Sequence, residues 1–180
     1  MTMPPMQMNQ RGFSQFADDG AAGPTMLGLL SLLPPQFRDT YKYFAAYPVQ
    51  FAPLAASTTD TKQYTVDIQT DFIITYAMCA TLNTGNDTVQ AFPPVLVQIT
   101  DSATTSTLFQ APMHGLNVYG DAVSPGIFAM PYVAARAVTI TIQHQNQIAT
   151  AINQYVTHSG FKSVVGSNLN DPRYNPFLNR

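Results

Sequence analysis

The chain contains no glutamate and only three lysines, and from residue 63 to residue 135 it has neither lysine nor arginine. The charges inside that stretch are five aspartates: Asp67, Asp71, Asp87, Asp101 and Asp121. Helices that cross over a sheet turn a polar face to water, and Glu, Lys and Arg are the residues that build such a face at good helix propensity. Without them, a body made of alternating strands and crossover helices is not expected. What remains is a body of strands and turns.

The apolar pattern agrees. Val138, Ile140 and Ile142 alternate with Thr139, Thr141 and Gln143, and Tyr64, Val66 and Ile68 alternate with Gln63, Thr65 and Asp67. Both have the period of two that a strand with one buried face requires. Phe72 to Leu82 reads as a longer buried strand, with Asn83 to Asp87 closing a hairpin behind it. Further strands are expected at Val95 to Ile99, Leu108-Phe109, Ile127 to Ala135 and Asn153 to Lys162. Pro131 marks an edge or a bulge. Seven or eight short strands at this spacing predict an all-β fold, an antiparallel jelly-roll-like β-sandwich over residues 48–162.

The flanks differ in character. Residues 1–47 are expected to form an extended arm followed by two short helical pieces, broken at Pro34-Pro35. Thr25 caps the first piece, and Phe37, Tyr41 and Phe44 recur at helical spacing in the second. Residues 163–180 form an Asn- and Pro-rich tail. No basic stretch leads an apolar one near the start, so no secretory leader is expected. The run Met26 to Leu33 is far shorter than a membrane span, and no membrane partner is expected.

Only 10% of the residues are charged, against roughly a quarter in an average soluble domain. Thr, Gln, Asn and Ser supply the polarity instead, which suits a surface lying against neighbouring subunits, where each buried charge needs a partner. The candidate contact residues are Phe13, Phe16, Met26 and Leu29 in the front, Arg136 in the body, and Tyr174, Phe177 and Leu178 in the tail. The aromatic and aliphatic ones act as anchors and the arginine as a bidentate tie.

Catalytic and metal-binding patterns are missing. Asp67 and Asp71 flank a bend and read as turn residues. His114, His144 and His158 form no HxH or HxxxH pair, and His144 is expected on an exposed or interface face. Asn83, Asn86 and Asp87 lack the alternation of an EF-hand loop. Cys79 is the only cysteine and reads as a small buried hydrophobe. There is no GxSxG and no phosphate-binding glycine loop. An enzyme is not expected, nor a metal or other cofactor. Nucleic acid binding by the body is excluded by the basic-free stretch.

The segments PVQFAPLAAS, TDFIITYAMCATL, PPVLVQITDSATTSTLFQAPM and PGIFAMPYVAARAVTITIQHQN resemble small β-sandwich virion proteins of tailed bacteriophages, over residues 48–162. The resemblance implies a structural component of head, neck or tail and transfers no functional residue. The expected role is therefore a virion structural protein such as a minor capsid, decoration, neck or tail component. It would assemble in the host cytoplasm as a homo-oligomer and with other virion proteins, through its sandwich and its arms. The alternative is a carbohydrate- or receptor-binding module of a fibre or adhesin, using exposed Tyr119 and Tyr132 as sugar platforms.

Overall fold

A computed structural model describes residues 28, 30, 33–37, 39–85, 88–104, 107–121 and 124–167. Among the described residues there are eight strands: β1 Lys42–Leu54, β2 Thr59–Thr65, β3 Thr70–Asn83, β4 Val95–Asp101, β5 Met113–His114, β6 Gly126–Ala134, β7 Thr139–Asn146 and β8 Ile152–Val164. One short helix, α1 (Gly115–Tyr119), lies between β5 and β6. Its N-terminus is capped by the His114 side chain, which accepts from the Leu116 amide.

The strands form two antiparallel four-stranded sheets, ordered β1-β8-β3-β6 and β2-β7-β4-β5. Every connection except β4 to β5 passes from one sheet to the other. The pairs β1–β8, β2–β7, β3–β6 and β4–β5 are nested, as if one long hairpin had been rolled up around its tip between β4 and β5. The sheets share one core. Val49, Phe51, Phe72, Ile74 and Val156 of the first sheet meet Tyr64, Val95, Val97, Ile99, Ile140 and Ile142 of the second. Each large apolar side chain buried there contributes about 1.5–3 kcal/mol.

The expected alternation is present in β7, where Ile140 and Ile142 point inward, and Pro131 lies in β6, an edge strand with an irregular register between Ile127 and Tyr132. Two expectations fail. The segment containing Phe37, Tyr41 and Phe44 is not a helix: a single 3-10 turn covers Pro35–Phe37 and β1 starts at Lys42, ahead of Pro48. Ala45, Tyr47, Val49 and Phe51 alternate inward there, and packing against β8 outweighs a helical spacing of three aromatics. Leu108 and Phe109 form no named strand; Thr107 makes an isolated bridge to Thr100, and the two side chains pack against the core. The hairpin after β3 is equally short. Leu82 bridges Val89, but β3 and β4 belong to different sheets.

Candidate interaction surface and the polar core beneath it

Alternation along the first sheet turns one set of side chains outward in cross-strand rows. Past a polar end row of Lys42, Ser163 and Asp71, these are Phe44–Phe161–Ile73, Ala46–Ser159–Tyr76, Pro48–Thr157–Met78 and Gln50–Tyr155–Ala80. No member of these four rows is charged. Phe44 stacks on Tyr76 at 6.3 Å and meets Phe161 edge-on at 6.1 Å. The first row is covered by the chain's own front. Leu33, only 2% exposed, packs with Ile73 and Phe161, and Leu30, Phe37, Tyr76 and Val133 pack around them. Where the apolar segment before β1 docks was open from sequence; this part of it lies on its own sheet. That cover leaves Phe44 at the edge of the first row exposed, and the rows beyond stay open, with Met78 and Tyr155 exposed.

The outer face of the second sheet contrasts with this. Its rows are Thr59–Gln145–Leu96, Thr61–Gln143–Gln98 and Gln63–Thr141–Thr100, with Thr65 beside Thr139. Gln63 donates to the Thr141 hydroxyl at 3.0 Å, and the Thr65 and Thr139 hydroxyls are also 3.0 Å apart. One sheet therefore shows water mainly hydroxyls and amides, with Leu96 among them, and the other a mainly apolar face with Gln50 and Thr157 in its open rows.

All four sheet edges are blunted. β1 carries Pro48 and Pro53, β6 carries Pro131, β2 carries the exposed Lys62–Asp60 ion pair at 3.1 Å, and β5 is two residues long. Proline and charge are the devices that discourage addition of a strand at an edge.

The chain enters β1 and leaves β8 at one corner, since Lys42 pairs with Ser163. Val164 donates its amide to the Tyr41 carbonyl at 3.0 Å, and the Tyr41 amide donates to the Ser167 hydroxyl at 2.9 Å. The Thr40 and Ser163 hydroxyls lie 2.7 Å apart. Both terminal segments thus start from a common, hydrogen-bonded root.

Beneath the faces lies a polar network inside the apolar core. His144 and His158 are both 0% exposed, which corrects the expectation of a surface His144. His144 Nδ1 is 2.7 Å from Gln154 Oε1, and Gln154 Nε2 donates to Thr81 Oγ1 at 3.2 Å. An amide oxygen only accepts, so the His144 proton sits on Nδ1, and Nε2 accepts from the Tyr119 hydroxyl at 2.7 Å. Phe51 stacks on the same imidazole at 4.1 Å. His158 Nδ1 is 2.9 Å from Tyr64 Oη, while its Nε2 is buried with no hydrogen-bond partner among the described residues. Burial pulls the His144 pKa down to about 4, against smaller upward pushes from Gln154 and Asp60. Burial and the neighbouring His144 pull His158 down to about 3. The imidazoles are neutral, and neither faces solvent.

Of the expected contact residues, Arg136 is the one among the described residues. It lies exposed in the β6–β7 turn, where its amide donates to Asp71 Oδ1 at 3.0 Å, and its guanidinium makes no ion pair among the described residues. Phe13, Phe16, Met26, Leu29, Tyr174, Phe177 and Leu178 lie outside the described residues. Asp67 accepts from Lys162, bracing the β2–β3 turn against β8. Tyr119 cannot be a sugar platform, because it is 1% exposed. Tyr132 is held by a short hydrogen bond to Asp101, whose other oxygen accepts from the Ala103 amide. Asn86 and Asp87 lie outside the described residues, and no cluster of three or more metal-ligating His, Cys, Asp or Glu occurs among those that are described. No helix among the described residues is long and apolar enough to cross a membrane.

Sequence reasoning missed the two buried histidines, although their phase gives them away. His144 continues the inward positions of Ile140 and Ile142, and His158 those of Ile152, Gln154 and Val156. Comparison with protein-family models, curated proteins and solved structures finds no match for this chain.

Proposed function

We propose that this chain is a virion structural protein whose body is a jelly roll and which assembles with copies of itself and with other virion proteins. The nested pairing of β1 with β8, β2 with β7, β3 with β6 and β4 with β5, in two four-stranded sheets, carries the reading. That is the arrangement expected of an eight-strand jelly roll, an architecture used by capsid and lectin domains. Fold analogy alone does not choose between those two. What supports subunit packing is a largely apolar sheet face and two terminal segments rooted at one corner, while Tyr119 is buried and Tyr132 is tied to Asp101.

With all four edges blunted, the contacts between subunits fall on the open face of the first sheet and on the terminal segments. The resemblance of residues 48–162 to head, neck and tail proteins of tailed phages supports reading the subunit as a part of such a particle. No catalytic step is assigned to it. Light scattering after size exclusion tests the reading, run on the full chain beside residues 42–167 alone. A defined oligomer for the full chain and a smaller species for the trimmed body is the expected result. A full chain that stays monomeric at every concentration reached overturns self-assembly.

A further inference from the structure

We propose that α1 is an acid-released latch: neutral histidines hold it in the sandwich, and it lifts out of the core before the sheets separate when they take up protons. The chain has three histidines, and all three adjoin this five-residue helix. His114 caps it, accepting the Leu116 amide on Nδ1 at 3.2 Å. His144 accepts the Tyr119 hydroxyl on Nε2 at 2.7 Å, and the His158 ring lies 6.4 Å from the Tyr119 ring, at 30° to it. The first two contacts use an imidazole nitrogen as acceptor, and a proton on that nitrogen ends the acceptance.

The rest of the hold on α1 is local. β5 ahead of it pairs over two residues, Met113 with Val97 and His114 with Leu96. Behind it, the Gly120 amide closes the last turn onto the Leu116 carbonyl at 3.0 Å, and the Asp121 amide bonds the Ser124 carbonyl at 3.0 Å. Among the described residues, the hydrogen bond that ties α1 to the long strands is that of Tyr119 to His144. β3 and β8, in contrast, are paired from Thr70 to Asn83. Elements with few long-range ties open ahead of the global unit. Lifting Tyr119 takes away a ring that packs on both buried imidazoles, at 5.5 Å and 6.4 Å, and admits water to them.

Inside the core nothing compensates a charge on these rings. The titratable groups around them are Tyr47 of β1, Asp60 and Tyr64 of β2, Cys79 of β3 and Tyr119 itself, with Asp101 of β4 and Tyr132 of β6 beyond Tyr64. Asp60 is paired with Lys62 at 3.1 Å, and Asp101 accepts from the Tyr132 hydroxyl and the Ala103 amide. No ion pair reaches a histidine among the described residues. The latch therefore holds fully above about pH 6.5, the ordinary histidine value, and weakens as pH falls below it. It is a property of the single chain and stands whether or not the subunit assembles.

Hydrogen exchange of the full chain, read by mass spectrometry at about pH 7.5 and about pH 5.5 and corrected for the intrinsic pH dependence of exchange, tests this. Histidine is the side chain whose ordinary pKa lies in that window. Segment 115–121 should be less protected than β8 at both pH values. Its protection should fall about tenfold between them if lifting α1 uncovers one buried histidine, and about a hundredfold if it uncovers both. Tyr119→Phe, which keeps the ring and loses the hydroxyl, should lower the protection of the same segment about fivefold at pH 7.5. Protection of 115–121 that is independent of pH would overturn the latch, because the helix would then open without protonation. Protection equal to that of β8 at both pH values would overturn it as well, because α1 would then open only with the sheets. No effect of Tyr119→Phe would overturn the part given to the bond with His144.

Discussion

Tyr119 and His144 meet in the middle of the sandwich, hydroxyl to imidazole, with 2.7 Å between Oη and Nε2. Because Gln154 takes the proton on Nδ1, the imidazole has a hydrogen bond on each side only while it is neutral. A second proton, on Nε2, would face the tyrosine oxygen and strand that hydroxyl's own hydrogen inside an apolar core. His158, next to it in the same core, has even less to gain from a charge.

This makes stability depend on pH in a defined direction. Both folded pKa values are lowered, to about 4 and about 3, from an ordinary 6.5. Below pH 6.5 the unfolded chain takes up protons that the folded chain refuses, so stability is fully present above that pH and is lost as pH falls towards 4. Each proton contributes a slope of up to about 1.4 kcal/mol per pH unit. Urea unfolding from about pH 7.5 to about pH 5 should show a plateau and then a steep decline. A flat profile across that range would contradict the buried, neutral assignment.

How much of this could be read from the sequence follows from the range of each interaction. Strand alternation is local, so β7 and the edge character of β6 at Pro131 were legible. β1 was not, because Phe37, Tyr41 and Phe44 have a helical spacing, while the inward phase of Tyr47, Val49 and Phe51 is interrupted to the eye by Pro48. The histidines were misjudged by residue type although their phase was correct for burial. The pairing of β1 with β8 spans the whole body, and no local pattern encodes it. The open face needed that pairing too, since Tyr155, Met78 and Pro48 become neighbours only across three strands.

Leu33→Ala should loosen the front from the sheet. Leu33 is almost completely buried against Ile73 and Phe161, and truncating such a leucine costs about 2 kcal/mol or more. The segment is peripheral, so the loss should appear first as local opening. Hydrogen exchange should accelerate at the Leu33 and Phe37 amides, which bond to the Leu30 and Pro34 carbonyls, while the amides of β3 and β8 keep their protection. Equal acceleration in all of them would show that the front is part of the global unit.

Gly160→Ala tests a close approach inside the first sheet. A β-carbon at Gly160 would lie 1.9 Å from the Ile73 carbonyl oxygen and 2.9 Å from its carbon, both backbone atoms that cannot turn aside. The register between β3 and β8 shifts just beyond this point, after Ile74. The expected cost is about 3 kcal/mol, read as a fall in the denaturant midpoint. Gly166→Ala is the comparison: a φ of +74° but nothing within 4 Å of the added carbon. It should cost only about 1 kcal/mol, from backbone conformation alone. Similar losses at both sites would refute the steric argument.

Cys79 reports on the same core from the side of β3. Its residue is half-buried, but the sulfur sits 3.6 Å from the Thr81 hydroxyl and packs with the main cluster. Thr81 in turn accepts from Gln154, so the thiol adjoins the network that ends at His144. Burial pushes the thiol pKa up to about 12, which the Thr81 hydrogen bond only partly opposes. The thiolate is the reactive form, so alkylation by iodoacetamide near neutral pH should be at least about a hundredfold slower than for an unhindered cysteine. The rate should recover on unfolding in urea, and it should also rise below pH 6.5 in step with the histidine-driven loss of stability once corrected for the lower thiolate fraction. Rapid labelling of the native chain would mean that β3 opens to solvent at Cys79 far more often than its pairing with Val156 of β8 allows.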